Sequence, residues 1–371
     1  MRKGLCAIVL MIASCIMGAN AQADSCLTGA GPLIQITGKQ AVPYDKRASV
    51  GDGTRVNAQG ALWQDAGSYP VQIGAGNGIC FSGATVIGTY PPSTTWDVMH
   101  STAALYIQGP SLTVENYTVR DYGDGIRIRA GSDGFVIQNA HFSYIRDDCI
   151  ENDFMSGGLV SHSLLDGCYN AFSAQTGGSN VPPDGSAKTW RIQNSLIRLQ
   201  AMEQAYGGKT GAHAGFFKWD KGTTSKSPKL ALVNNIFRAD QNSDTVGLAI
   251  PPDKLIECSN NTMVWLGPGS YPEQLPATLN NHPCITITRD QSVWDSAVAQ
   301  WAPNVTPTTS PLCPKFSQGD ANCDGMVNLV DFEIFRTEFS KQAQTARADF
   351  NRDASVTIVD FEIWRRGYTT I

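Results

Sequence analysis

The sequence predicts an all-β fold, a parallel β-helix solenoid, followed by a small all-α domain. Three observations carry this expectation. Short β-branched runs recur at a spacing near 23 residues through the long N-terminal part, the signature of stacked supersecondary units. A Pro/Thr stretch without periodicity, "WAPNVTPTTSPLCPKF", then interrupts the pattern and suits a semi-extended linker. Beyond it, two twelve-residue acidic loops each lead into an apolar segment that repeats. The expected organisation is a signal over 1–23, a solenoid over 24–300, a linker over 301–316 and the small domain over 317–371.

The first residues address the compartment. Arg2 and Lys3 precede an apolar run over 5–17 that ends in Ala21-Gln22-Ala23, which reads as a secretory signal. Ile12-Ala13-Ser14-Cys15 also fits a lipoprotein box, although the apolar Ile16-Met17 that follows is unlike the polar tether such proteins carry. Eight cysteines remain after the signal, an even number for an oxidising destination. Connectivity is not legible from sequence; neighbours suggest Cys258 with Cys284, Cys313 with Cys323, Cys149 with Cys168 and Cys26 with Cys80. The formal charge of −5 is mild and no basic block exists, so neither nucleic acid nor an anionic membrane is implied as partner.

Within the long domain, "VENYTV", "VIQNAHF", "LVSHSLL", "RIQNSLI", "LVNNIF" and "CSNNTMV" share one pattern. Their central polar residues, Asn116, Asn139, His162, Asn194, Asn235 and Asn261, fall at intervals of 23, 23, 32, 41 and 26. Coils stacked at about 4.8 Å would bury an aliphatic core and align the amides as a ladder. His162 then reads as a turn residue in an Asn slot. The residue eight positions after each ladder residue should also stack: Asp124, Asp147 and Asn170 form one expected column, with Asp148 beside it. Stacked carboxylates about 5 Å apart raise the pKa of one of them, which is how a general acid is made. The bland alternative is turn chemistry, since Asp and Asn favour β-solenoid turns.

The stretch "GDGIRIRAGSDGFVIQNAHFSYIRDDCIEND", 123–153, resembles the central coils of the polygalacturonases, pectin-cutting glycoside hydrolases of the right-handed, pectin-lyase-like parallel β-helix class. The resemblance implies Asp147 as general acid, with Asp124 and Asp148 as the carboxylates that activate water for an inverting displacement. Two positions depart from it. Asn170 stands where the family has histidine, and only Lys218, in Phe216-Phe217-Lys218, matches the family's substrate-gripping Arg-x-Lys; these two are the expected substrate-binding residues. Both aspartates of the pair can enter one cleft only if the backbone bends between them.

His100 and His213 are the histidines most open to replacing the missing one. Trp63, Trp96, Tyr122, Tyr169, Trp190 and Trp219 offer flat surfaces for sugar rings or, equally, core. Two alternatives stay open. A polysaccharide lyase on a uronic-acid polymer would use Asp148, Glu151 and Asp153 for calcium and Arg127, Arg129, Arg146 or Lys218 as base. A non-catalytic glycan-binding solenoid needs neither.

In the small domain, "DANCDGMVNLVD" places oxygen donors at loop positions one, three, five, seven, nine and twelve: Asp320, Asn322, Asp324, the Met326 carbonyl, Asn328 and Asp331. Gly325 makes the turn. That is the calcium-loop spacing of an EF-hand. "DFNRDASVTIVD" repeats it 29 residues later with Asp349, Asn351, Asp353, Ser355, Thr357 and Asp360, and "DFEIF" returns as "DFEIW". The duplicated loop-and-helix unit resembles the dockerin, type I-like, the module that attaches secreted carbohydrate-active enzymes to cohesin-bearing scaffolds. The resemblance implies two Ca2+ ions, a cohesin partner facing Leu329-Val330 and Ile358-Val359, and an extracellular location. Ala354 in place of the turn glycine marks the second site as the weaker.

Overall fold

The computed structural model describes residues 25–47, 50–64, 66–176, 183–222, 224–301, 318–321, 327, 329–340, 348–350 and 356–368. The described N-terminal part is almost entirely β, with one 22-stranded sheet whose pairings are parallel. Strands pair with partners one repeat away, an arrangement compatible with a parallel solenoid. Three ladders run through it. In the first, Val56, Phe81, Val114, Ile137, Val160 and Ile192 lie in one register column. In the second, Trp63, Val86, Val119, Phe142, Leu165 and Ile197 do so. The third aligns Val71, Leu105, Ile126, Ile150, Phe172 and Phe217. All of these residues are buried, so each repeat adds an aliphatic or aromatic layer to one continuous core.

The repeat's turn is built from two residues with different tasks. Asn116, Asn139, His162, Asn194, Asn234 and Asn260 all adopt positive φ, between 49° and 56°. Asparagine tolerates that conformation best among residues with a side chain. Their side chains form the predicted ladder: Asn139 Nδ2 donates to Asn116 Oδ1, Asn194 Nδ2 lies 3.2 Å from His162 Nε2, and Asn234 Nδ2 donates to Asn194 Oδ1 at 3.1 Å. His162 is thus a turn residue in an Asn slot. The last two members of the predicted ladder need correction, because Asn234 and Asn260 occupy it, not Asn235 and Asn261. These belong to a second, inner column. Ala140 N–H donates to Ser163 Oγ, Ser163 N–H to Ser195 Oγ, Ser195 N–H to Asn235 Oδ1 and Asn235 N–H to Asn261 Oδ1. Each buried side chain satisfies a backbone donor of the preceding repeat that burial would otherwise leave unpaired.

Three disulfides are formed among the described residues: Cys26–Cys80, Cys149–Cys168 and Cys258–Cys284. The Cys313–Cys323 pair falls outside the described residues, as does the signal over 1–23. Helix α1 (Trp96–Met99) sits in an insertion between strands. Helix α2 (Gln291–Trp301), which the β-periodicity did not announce, buries Trp294 and Ala297 against Leu164, Leu196, Ile236 and Val264. No helix among the described residues is long and apolar enough to cross a membrane.

The described C-terminal residues form α3 (Leu329–Ser340) and α4 (Ile358–Gly367). Phe335, Phe350 and Trp364 share a small core, with Phe332 and Trp364 rings 4.7 Å apart. The two halves repeat one contact. Asp331 Oδ1 accepts from Ala321 N–H at 2.8 Å, and Asp360 Oδ1 accepts from Phe350 N–H at 2.7 Å. In both cases the residue at loop position twelve closes back onto position two.

Candidate active site

The peptide 144–153 lies in the strand His141–Glu151 and its following turn, and its residues face several ways. Ile145 pairs with Tyr122 on one side and Cys168 on the other, whereas Asp148 pairs with Asn170 and Ile150 with Ile126. From Ile145 to Ile150 this strand advances five residues against four on each neighbour. It therefore carries one extra residue, a bulge, at Arg146-Asp147. Counting back from the Ile126–Ile150 pairing sets Asp124 opposite Asp148. The column is thus Asp124, Asp148 and Asn170, and the expectation that Asp147 stacks between Asp124 and Asn170 is corrected. An eight-residue count cannot see an inserted residue.

The bulge is what brings both aspartates to one side of the core. Asp148 N–H donates to Asp124 Oδ1 at 3.1 Å, and Asn170 Nδ2 donates to Asp148 Oδ1 at 2.8 Å. Lys218 Nζ lies 3.5 Å from Asp148 Oδ2. Immediately after the pair, Cys149 turns into the core and is bridged to Cys168. Closing a loop of this size contributes about 3 kcal/mol and anchors the strand directly beside the acids.

Asp147 is addressed from a distant insertion. Trp96 Nε1–H donates to Asp147 Oδ1 at 3.2 Å, and His100 Nδ1 lies 2.7 Å from Asp147 Oδ2. Trp96 and His100 stack with ring centroids 4.5 Å apart, and Tyr206 meets Trp96 edge-on at 4.8 Å. Three anchors hold this insertion down. Arg146, paired with Asp121, donates to the Tyr90 and Pro91 carbonyls at 2.8 and 3.0 Å. Arg127 Nη2 donates to the His100 carbonyl at 2.9 Å, and Gly123 N–H donates to Thr102 Oγ1 at 2.9 Å. A Cβ at Gly123 would lie 1.8 Å from the Met99 carbonyl oxygen, so only glycine permits this approach.

Electrostatically the site is a buried acidic cluster with partial compensation. Asp124, Asp148 and Glu151 bring carboxylate oxygens within 4.8 Å of one another. Arg127 occupies the space beside them: its Nε lies 2.8 Å from Asp124 Oδ2 and 3.0 Å from Glu151 Oε1. A guanidinium placed there supplies positive charge to two of the three acids. Burial pushes the Asp148 carboxyl up to about 8; Lys218 opposes the rise, while Asp147 and Glu151 reinforce it. Burial and then Glu151 push Asp153 up to about 6. Burial and then Glu151 also drive Asp124 upward, against the pull of Arg127. The hydrogen bond to Asp147 raises His100 above its ordinary value, and Asp148 holds Lys218 protonated above the usual lysine range.

The open groove that the column implied is not what the structure presents. Asp124, Asp147 and Asp148 are 0–2% exposed, and the outer wall of the site is made by His100 and Lys218, whose side chains are 48% and 25% exposed. Asn170 and Lys218 both lie against Asp148. His213 does not: it is buried and hydrogen-bonds the Ala214 and Gln241 carbonyls. Of the six aromatic candidates, Trp63, Tyr122, Tyr169, Trp190 and Trp219 are buried, and Trp96 alone is partly exposed beside the acids. Tyr206, 51% exposed, was missed because it lies in a glycine-rich turn with no motif around it.

In the C-terminal loops, Asp320, Asp331, Asp349 and Asp360 are 0–8% exposed, and Thr357 Oγ1 lies 3.2 Å from Asp360 Oδ2. Carboxylates buried at positions one and twelve of both loops are the hard oxygen donors a calcium ion requires. Asn322, Asp324, Met326, Asn328, Asn351, Asp353 and Ser355 lie outside the described residues. No protein-family model, no curated protein and no solved structure matches the chain.

Proposed function

We propose that the chain is a secreted glycoside hydrolase acting on a polysaccharide through paired aspartates of a right-handed parallel β-helix resembling the polygalacturonases. The observation that carries the reading is the bulge that sets Asp147 and Asp148 beside each other outside the apolar core, behind a wall of His100 and Lys218. Cleavage by inversion needs one carboxyl that keeps its proton near neutral pH and one group that accepts a proton from water. Asp148, at about 8, suits the first task. Asp147 Oδ1 accepts from Trp96 Nε1–H and its Oδ2 lies 2.7 Å from His100 Nδ1, so the second task falls to Asp147 together with His100, and we assign the acid to Asp148 and not to Asp147. Asp124, bonded to Arg127 and to the Asp148 backbone, supports the pair. Asn170 orients Asp148, and Lys218 covers it.

Elimination is the weaker reading. It needs a neutral base, whereas Lys218 sits among the carboxyl groups of Asp148, Asp147 and Asp153, which together favour its protonated form, Arg127 is shared between Asp124 and Glu151, and Arg146 is bound to Asp121 and two carbonyls. Burial of all three aspartates favours a glycan-binding solenoid as the competing reading. Incubation of the secreted protein with a polysaccharide panel separates the three. New reducing ends without unsaturated, ultraviolet-absorbing products indicate hydrolysis, and Asp148→Asn should then lower the rate by about 10²–10⁴. Undiminished cleavage by that variant would remove Asp148 from the chemistry.

The C-terminal repeat is the second half of the proposal. A dockerin carrying two Ca2+ ions, held by Asp320, Asn322, Asp324, Met326, Asn328 and Asp331 and by Asp349, Asn351, Asp353, Ser355, Thr357 and Asp360, would dock the enzyme on a cohesin scaffold. Calcium would supply the charge that lets these acidic loops fold. The mirrored closure of Asp331 and Asp360 supports it, and so do Leu329, Ile358 and Val359, which are 50–62% exposed.

A further inference from the structure

Both oxygens of Asp147 are engaged by the 96–100 insertion: Oδ1 accepts from Trp96 Nε1–H at 3.2 Å, and Oδ2 lies 2.7 Å from His100 Nδ1. His100 has the complementary character. Its Nδ1 is committed to Asp147 at 2.7 Å, its side chain is 48% exposed, and its Nε2 has no partner among the described residues. The ring cannot drift, because it stacks on Trp96 and its own carbonyl is held by Arg127. A buried carboxylate that accepts from Nδ1–H fixes the tautomer in which Nε2 carries the free lone pair, the atom a general base uses.

We propose that His100 and Asp147 form a proton-transfer dyad in which His100 Nε2 is the catalytic atom and Asp147 its positioning residue. The imidazole absent from the Asn170 position is thereby supplied by an insertion nearly fifty residues before the acids, not by a neighbouring coil. This rests on the hydrolase reading. In the step it implies, His100 Nε2 takes a proton from water as the water oxygen bonds to the anomeric carbon. The bond from that carbon to the bridging oxygen breaks, and the departing oxygen takes the proton of Asp148. His100 then releases its proton to solvent and Asp148 regains one, so the net change is addition of water across the glycosidic bond.

The charged groups around His100 are Asp147 and Glu151 on the strand His141–Glu151, Arg127 on the strand Asp124–Ile128, and Asp97 in its own short helix. Asp147 and Glu151 raise its proton affinity and Arg127 opposes them. Loss of the Asp147 charge should therefore lower its titration midpoint.

The dyad is tested first without any substrate. Long-range ¹H–¹⁵N spectra of the full-length protein should show neutral His100 protonated at Nδ1, and Asp147→Asn should move its midpoint down. A neutral ring protonated at Nε2, or a midpoint that Asp147→Asn leaves unchanged, would overturn the dyad. On a glycan that the wild type cleaves, His100→Gln should lower kcat by about 10²–10⁴ with KM nearly unchanged and abolish the acidic limb of the pH profile. His282→Gln, at an exposed position far from the acids in sequence, should do neither. A His100→Gln enzyme that keeps both its rate and its acidic limb would also refute the proposal. The Nδ1–H signature in a protein that cuts no glycan would instead retain the dyad and remove the hydrolase reading.

Discussion

Replacing Asp148 by Asn tests the buried cluster by a route independent of any substrate. Asp148 is 1% exposed and its carboxyl is pushed from 3.8 to about 8, chiefly by burial. A group whose proton affinity is raised in the folded state stabilises fully below its unfolded value and loses that contribution as pH rises through the folded one. The protein should therefore be most stable, as far as Asp148 is concerned, below pH 4, and should lose stability progressively between about pH 4 and pH 8. At about 1.4 kcal/mol per tenfold change in proton affinity, the ceiling is on the order of 5 kcal/mol. Lys218 shares the charge and is itself partly exposed, which keeps the realised change below that ceiling. At about 2 °C per kcal/mol for a domain of this size, the wild-type Tm should fall by several degrees from pH 5 to pH 9. Asp148→Asn preserves an acceptor for Asn170 Nδ2, frees Lys218 toward solvent and removes the titration. Thermal melts followed by circular dichroism should show a flatter pH dependence for the variant and a higher Tm than wild type at pH 9. Parallel curves for the two proteins would mean that Asp148 is not the buried, proton-binding group described above.

Three further outcomes are expected. Gly123→Ala puts a methyl group against the Met99 carbonyl and should displace α1; a cost of about 1–3 kcal/mol in urea unfolding should accompany loss of the His100–Asp147 signature in NMR spectra. Asn235→Ala removes the acceptor of Ser195 N–H and two donated bonds in a fully buried position. It should lower stability by about 2–4 kcal/mol, against about 1 kcal/mol for the exposed Asn234→Ala, and equal urea midpoints would contradict the inner column. Chelation of calcium should expose residues beyond 317 to protease and abolish cohesin capture while the disulfide-tied β-domain resists. Capture that persists in excess chelator would dismiss the calcium loops.

Much of the architecture was legible because it depends on local chemistry repeated at a fixed interval. The apolar columns through Val114, Ile137 and Val160 follow from the 23-residue spacing, and two of the suggested disulfides, Cys149–Cys168 and Cys258–Cys284, join cysteines 19 and 26 residues apart, about one repeat, whereas Cys26–Cys80 spans 54 residues. The ladder was legible to His162 and Asn194 but slipped by one at Asn234 and Asn260, since "NN" in "LVNNIF" and "CSNNTMV" offers two amides and only the backbone decides which takes the positive φ. The acid column slipped for a related reason. An extra residue at Arg146-Asp147 changes the facing of everything after it, yet leaves the composition of the run unaltered.

By itself, the amino-acid order determined a repetitive, mostly β chain with a distinct acidic repeat at its end, because hydrophobic period and donor spacing are properties of neighbouring residues. Tertiary structure decided which aspartate stacks, that all three are shut away from water, and that an imidazole from the 96–100 insertion closes on Asp147. Those outcomes depend on contacts between residues tens of positions apart, whose register is set by core packing and by single points of close approach such as Gly123, and no local pattern encodes them.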